Sequence, residues 1–119
     1  MKNISEEIIH TFIEYIALGI YSADDKLPSV RELSTKYHVN PNTIAKVYTS
    51  LEEMGYIYAV AAKGYYVAEM NEALMETVKK DMQGHIKELL LLSKIIHMDK
   101  EELKQLIDKE EVKWLKLNI

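Results

Sequence analysis

Residues Leu27 to Ile57, LPSVRELSTKYHVNPNTIAKVYTSLEEMGYI, contain two short helical patterns separated by a tight turn. In each pattern, apolar residues recur at helical spacing and form a stripe: Val30, Leu33 and Tyr37 in the first, and Ile44, Val47, Tyr48, Leu51 and Met54 in the second. Each helix is therefore expected to bury one face and to expose the other. Because the turn is so short, the sequence predicts that the two helices cross each other.

The beginning of the second helix is strongly specified. Asn40 is a suitable N-cap, and Pro41 fits the first helical position, where no N–H is needed. Val39 is expected to pack on Ile44 as a hydrophobic staple, and Gly55 is expected to end the helix. We therefore expect this helix to occupy a well-defined position.

The exposed side of the second helix is polar. Its turns carry amides, hydroxyls and one positive charge, on residues Asn42, Thr43, Lys46, Thr49 and Ser50, and the first carboxylate is that of Glu52. Such a surface suits DNA, because a helix in the major groove reads base edges with its N-terminal residues while neighbouring amides and hydroxyls contact phosphates. An ordinary solvated helix face is the alternative that these polar residues alone leave open.

Three motifs follow one another along the chain: LPSVREL, then V-N-P-N-T-I-x-K-x-Y-x-x-L-E-x-x-G-Y-I, and then K-G-Y-Y-V. In this order and spacing they resemble the N-terminal winged helix-turn-helix domain of the GntR family of bacterial transcription regulators. The resemblance runs from about Ile4 to Val67. The short tail that follows is similar to that of the YtrA subfamily, whose members carry only a small two-helix dimerisation segment after the DNA-binding domain.

The region before the first motif is predicted to contain a helix from about Ser5 to Leu18, ended by Gly19. The family pattern G-x-Y-x-x-G-x-x-L-P-S reads GIYSADDKLPS here, so Asp24 stands where the second glycine is usual. Because aspartate tolerates a left-handed backbone better than most residues, we expect the turn to survive. Ser29 is placed to cap the helix that begins at Val30.

A β-hairpin, the wing of the family, is predicted after the second helix. Residues 56–60 and 65–68 have strand character, and residues 61–64 form the turn. Wing tips of the family often carry arginines, whereas Lys63 is the one charged residue of this tip, so strong minor-groove contact is not expected. We expect Lys63 to contact a phosphate, Gly64 to permit a close approach of the backbone, and Tyr65 to pack within the hairpin.

The chain becomes helical again from Asn71, breaks at Met98 and Asp99, and continues in a last helix from Lys100, where Asp99 and Glu102 form a predicted capping box. The long helix cannot bury its whole apolar stripe against a small winged domain. The most economical arrangement is an antiparallel helix pair that meets its copy across a two-fold axis. The residues expected to line that interface are Leu74, Val78, Ile86, Leu89, Leu90, Ile96, Leu103, Ile107 and Trp114.

The predicted fold class is therefore mainly α with a small β-hairpin wing. Residues 1–69 would be the winged helix-turn-helix DNA-binding domain, and residues 70–119 the two-helix dimerisation segment. The resemblance implies a homodimeric regulator, interpreted as a repressor, that binds a palindromic double-stranded operator. The residues expected to contact DNA are Arg31, Lys36, Asn40, Pro41, Asn42, Thr43, Lys46, Lys63 and Gly64. The alternative is a winged-helix protein–protein interaction module that does not bind DNA.

The charge distribution bears on both alternatives. The formal net charge is -4, and residues 1–69 hold six basic and nine acidic side chains, which argues against indiscriminate binding to nucleic acid. Between Lys26 and Leu51, however, the sequence has one acidic residue, Glu32, and four basic residues: Lys26, Arg31, Lys36 and Lys46. A local positive surface on an acidic body favours a site-specific binder whose affinity depends strongly on salt.

Other function classes find little support in the sequence. The chain has no cysteine, no apolar run of membrane-spanning length and no signal peptide, so a cytoplasmic location is expected. We expect no catalysis, no metal site and no cofactor, since no phosphate loop or nucleophile motif occurs and the histidines are not expected to pair with a carboxylate base. A small-molecule effector in a cleft at the dimer interface, or between the helices and the wing, stays an open possibility.

Overall fold

The computed structural model describes residues 3–118, in seven elements. These are α1 (Ile4–Ala17), α2 (Val30–Tyr37), α3 (Pro41–Glu53), β1 (Ile57–Val60), β2 (Gly64–Val67), α4 (Glu72–Ile95) and α5 (Lys100–Asn118). The predicted fold class is confirmed, because a helical domain with a hairpin wing is followed by two C-terminal helices. None of the described helices is both long and apolar enough to cross a membrane.

The chain divides into two compact units, which meet between Met75 and Glu76 within α4. The proposed functional division at residue 69 remains a prediction. The first four residues of α4 belong to the first unit, where Leu74 is buried and its Cδ1 lies 3.4 Å from the position that a Cβ on Gly55 would take. Leu74, expected at a dimer interface, is thus already covered by its own chain.

The core of the first unit is formed by the apolar stripes of α1, α2 and α3 together with one face of the hairpin. The buried side chains are Ile8, Phe12, Leu27, Leu33, Ile44, Val47, Tyr48, Leu51, Ile57 and Val67. Tyr48 is the largest of them, and its hydroxyl donates a hydrogen bond to the carbonyl oxygen of Pro28. Because this bond joins α3 to the residue before the N-cap of α2, it helps to set the position of one helix against the other.

The helix ends follow the sequence signals closely. The Ser29 hydroxyl accepts from the Glu32 N–H at 3.0 Å, and the Glu32 carboxylate accepts from the Ser29 N–H at 3.5 Å, so α2 begins with a capping box. Asn40 caps α3 by accepting from the Asn42 N–H at 2.8 Å, as predicted. Gly55 has a φ of +89°, a left-handed conformation that suits glycine and ends α3.

The hairpin is antiparallel and pairs Ile57 with Val67 at its base and Val60 with Gly64 at its tip. The segment before α2 adds to its free edge, since the Leu27 N–H donates to the Tyr65 carbonyl at 2.9 Å and Lys26 pairs with Tyr66. Three chain segments are therefore hydrogen-bonded side by side at the wing: β1, β2 and the segment before α2. The sequence had predicted only the two strands.

The second unit consists of the rest of α4 and of α5. The two helices are joined by a turn in which His97 has a left-handed φ of 56° and the Met98 N–H donates to the Ser93 carbonyl at 2.8 Å. Asp99 accepts from the Glu102 N–H at 2.8 Å and Glu102 accepts from the Asp99 N–H at 3.4 Å, which confirms the predicted capping box. Because α4 ends at Ile95, Ile96, which was expected to line the dimer interface, lies in the turn that follows the helix.

Candidate nucleic-acid interface

The N-terminal half of α3 presents a polar surface on a helix whose opposite side is fully buried. Pro41, Asn42 and Lys46 are exposed and Thr43 is half-buried, while the apolar residues of α3 lie in the core. The cap at Asn40 and the buried stripe hold this surface in place, so its side chains can meet a partner without first ordering the backbone. The Asn40 side-chain oxygen is already engaged in the cap, so its amide NH2 is what remains to contact a ligand.

The two basic residues expected on α2 are also exposed. Arg31 lies in its first turn, and Lys36 lies in its last turn with its Nζ 5.6 Å from the ring centre of Tyr37. A lysine over an aromatic face keeps its charge in solvent while its stem covers apolar surface. Both cations are therefore available to an anionic partner at the helix pair α2 and α3.

The wing tip consists of Ala61, Ala62, Lys63 and Gly64, all of them exposed. Ala62 and Gly64 have positive φ values of 65° and 118°. A Cβ placed on Gly64 would lie 3.5 Å from Cε of Lys26, so the Lys26 stem runs beside the tip. The sequence identifies Lys26 as one of the local cations but does not reveal its position at the wing, because the strand pairing that brings it there joins residues far apart in the chain.

Comparison with known proteins places these features in a family. A family model described as bacterial regulatory proteins, gntR family, matches residues 4–67. The HTH-type transcriptional repressor YtrA of Bacillus subtilis (strain 168) is 35% identical over 105 residues, which cover 87% of this chain and 81% of that protein. The chain belongs to the gntR family.

Two solved structures extend the likeness to three dimensions. A GntR family transcriptional regulator from Listeria monocytogenes matches with a TM-score of 0.75 and 33% identity, over 91% of this chain and 95% of that one. AraR(DBD) in complex with operator ORE1 matches with a TM-score of 0.55 and 28% identity, over 57% of this chain and 83% of that one. The first covers both units of this chain, and the second is similar to little more than its winged domain.

The gntR-family turn before α2 has an unusual residue in this chain. Asp24, at the usual glycine position, has a left-handed φ of 67°, as expected for an aspartate in this place. Its carboxylate has a further contact that the sequence did not reveal, since Oδ1 accepts from the Tyr58 hydroxyl at 2.6 Å. This hydrogen bond raises the pKa of Tyr58. Asp24 therefore ties the turn to the outer face of the wing.

The aromatic residues of the wing divide between its two faces. Tyr65 packs against Tyr48 of the core, with ring centres 4.7 Å apart, in agreement with the structural role expected for it. Tyr58 and Tyr66 are stacked on the other face at 5.7 Å. Since paired residues of an antiparallel sheet lie on the same face, Lys26, Tyr66 and Tyr58 form one row across the outer side of the wing.

The histidines differ in one respect from the expectation. His10 does pair with a carboxylate at helical spacing, since its Nδ1 lies 3.1 Å from Oε1 of Glu14. The pair lies on the surface of α1 and is an ordinary exposed helix pair. Within residues 3–118, no cluster of three histidine, aspartate or glutamate side chains could hold a metal ion.

The residues expected to form a dimer interface fall into two groups. Leu74 and Leu103 are buried in the single chain, and Val78 and Leu89 are half-buried. The other members are exposed to solvent: Ile86, Leu90, Ile96, Ile107 and Trp114. Between α4 and α5 lies an open groove of about 480 Å³, whose apolar lining is Leu89, Leu103, Leu106, Ile107 and Trp114.

Proposed function

We propose that this protein is a transcription regulator, and specifically a repressor, that binds operator DNA as a homodimer. Family membership supports DNA binding and regulation, and the B. subtilis relative is named as a transcriptional repressor. The observation that carries the proposal is the surface of α3, which is exposed, held in place by its cap and free of carboxylates until Glu52. Because operator DNA lies in the bacterial cytoplasm, the proposal places the protein there.

Each predicted contact has a distinct role in the proposed complex. Asn42 and Thr43 read base edges in the major groove, because amide and hydroxyl groups can both donate and accept there. Lys46 and the two cations of α2, Arg31 and Lys36, contact phosphates and set the register of the protein on the duplex. Pro41 contacts the sugar-phosphate backbone. Asn40 acts mainly through the cap that holds the helix.

The wing is proposed to lie along the neighbouring minor groove. Lys63 contacts a phosphate there, and Gly64 lets the backbone approach closely because it has no side chain. A tip with one cation gives weaker binding to this groove than an arginine-rich tip would give. The specificity of the complex therefore rests on the major-groove residues of α3.

Dimerisation is proposed to occur through the second unit. Many of its apolar side chains are exposed in a single chain, and exposed apolar surface of this kind marks an interaction site. The groove between α4 and α5 is lined by apolar side chains of the same unit. We therefore propose that the partner protomer, and not a small-molecule effector, occupies it. A two-fold dimer carries two recognition helices, which fit a palindromic operator whose half-sites lie about one turn of DNA apart or a multiple of it.

A mobility-shift titration on the DNA upstream of its own gene tests the proposal, with footprinting to map the protected bases. Wild-type protein should protect a palindrome and bind it far more tightly than unrelated DNA of equal length. Asn42→Ala should cost about 1–3 kcal/mol and relax specificity at one position of each half-site, whereas Lys46→Ala should weaken binding to all sequences. Lys87→Ala, at an exposed position of α4, is the matched control and should bind like wild type.

Two outcomes would reject the proposal. If wild-type protein showed no preference for its own upstream DNA at low salt, the alternative of a protein–protein module would be favoured. If Asn42→Ala and Lys87→Ala bound identically to wild type, DNA recognition by the surface of α3 would be wrong even if binding persisted.

A further inference from the structure

Lys26 lies beside the tip of the wing although it belongs to the segment before α2. It pairs with Tyr66 at the edge of the hairpin, and its Cε would lie 3.5 Å from a Cβ on Gly64. Gly64 stands two residues from Tyr66 on the same strand, so its outer side faces the same way as the row that contains Lys26. The lysine stem therefore crosses the sheet edge and points along the hairpin toward its tip.

The Lys26 ammonium forms no ion pair with the neighbouring carboxylates of Asp24 and Asp25. The Asp24 carboxylate accepts from the Tyr58 hydroxyl at 2.6 Å, and the Asp25 carboxylate accepts from the Ser22 N–H at 2.8 Å. Within the part of the chain that the structure describes, no carboxylate lies within ion-pair distance of the Lys26 ammonium. The exposed side chain thus carries a positive charge that is available to an anion.

We infer that Lys26 is a second phosphate contact of the wing, acting beside Lys63 on the backbone of bound duplex DNA. The tip supplies one cation, and the strand segment before α2 supplies the other. The Lys26 stem lies against the tip, because its Cε would be in ordinary van der Waals contact with a Cβ on Gly64. This inference rests on the proposed function, because it assumes that the wing approaches DNA.

The ligand chemistry follows from the side chain. A lysine ammonium is a compact point charge that contacts a phosphate without reading a base. Lys26 should therefore contribute to affinity for every sequence and to the release of counterions, but not to the choice between operators. This distinguishes it from Asn42, which is assigned to base edges.

The experiment measures operator affinity of the full-length protein as a function of salt. The variants are Lys26→Gln, Lys26→Arg, Lys63→Gln and the control Lys87→Gln. Lys26→Gln keeps a polar stem beside Gly64 and should lower affinity roughly 3–10-fold at low salt, and it should reduce the slope of log K against log salt by about 2, one for each protomer of the proposed dimer. Lys63→Gln should act alike, whereas Lys26→Arg and Lys87→Gln should retain the wild-type slope. Thermal unfolding of each variant shows that the fold is intact.

The outcomes separate this inference from the proposed function. If Lys26→Gln kept the wild-type slope while Lys63→Gln reduced it, the wing would contact DNA without Lys26 and the inference would be wrong. A loss of operator preference in Lys26→Gln without a change of slope would likewise overturn it, since a phosphate contact does not read sequence. If wild-type protein itself failed to prefer its operator, the proposed function would fail first.

Discussion

The two units of this chain bury their apolar residues to very different extents. In the first, the stripes of α1, α2 and α3 close on one another and on the hairpin, so that Leu51 of α3 is 0% exposed. In the second, α4 and α5 leave most of their apolar side chains in solvent, and Leu117 of α5 is 83% exposed. The difference indicates that the first unit has a complete core in the single chain, whereas the second does not.

The uncovered apolar residues of the second unit bear directly on the proposed function. A helix that keeps an apolar face in water gains little stability from that face until another surface covers it. The second unit should therefore acquire its stability from a partner protomer, and its stability should depend on protein concentration. In the proposed dimer, this contact would bring two copies of the α3 surface into one molecule.

The largest expected effect is on the free energy of unfolding, when a leucine is replaced by alanine in each unit. Leu51→Ala removes a fully buried side chain and should lower the free energy of unfolding by about 2–5 kcal/mol, because it leaves a cavity in the core. At a protein concentration low enough to keep the chain monomeric, Leu117→Ala should change it by less than about 0.5 kcal/mol, since the side chain is exposed in the single chain. Chemical denaturation followed by circular dichroism measures both. Equal effects would mean that the tail is covered and that the comparison is mistaken.

The second prediction concerns the proposed dimer. Leu90 is 46% exposed, and Leu90→Lys should weaken dimerisation by about 2–4 kcal/mol because the interface would have to desolvate a charge. Sedimentation equilibrium would show a monomer, and the mobility shift would show loss of binding to the full palindrome. Gln105→Lys, at an exposed polar position of α5, is the control and should leave the dimer intact. A monomeric wild-type protein would contradict the prediction directly.

The third prediction tests the hydrogen bond that joins α3 to the start of α2. Tyr48→Phe keeps the buried ring but leaves the Pro28 carbonyl without its donor, and should cost about 1–2 kcal/mol. Burial also raises the pKa of Tyr48. Stability from the neutral phenol is thus complete below the unfolded pKa of about 10 and is lost as pH rises above it. Tyr48→Phe should therefore flatten the alkaline fall in the free energy of unfolding, and an unchanged pH profile would contradict this assignment.

The smallest expected effect concerns the helix N-caps, which occur in both units. Ser29→Ala in α2 and Asp99→Ala in α5 each remove an N-cap and should each cost about 1 kcal/mol, because a cap is a local interaction. Thermal unfolding at one protein concentration measures both. A much larger effect of Asp99→Ala than of Ser29→Ala would show that the start of α5 supports the dimer in addition to its own helix.

Much of the candidate site was predictable because it depends on neighbours in the sequence. The cap at Asn40, the proline at the first position of α3 and the apolar stripe from Ile44 follow from helical periodicity and local hydrogen bonding. The end of α4 was less predictable: the apolar run continues through Ile96, whereas the helix ends at Ile95 and the chain turns with His97 in a left-handed conformation. Periodicity indicates which side of a helix is apolar and defines its last residue poorly.

By itself, the sequence determined the helical faces, the helix caps, the hairpin and the polar surface of α3, since each arises from residues within a few positions of one another. Only the tertiary structure decided that Lys26 lies beside Gly64, that Asp24 binds Tyr58 from 34 residues away, and that the Leu74 side chain is buried beside Gly55. These contacts depend on strand pairing and packing between distant segments. Many residues could satisfy such pairings, so no local pattern in the chain specifies them.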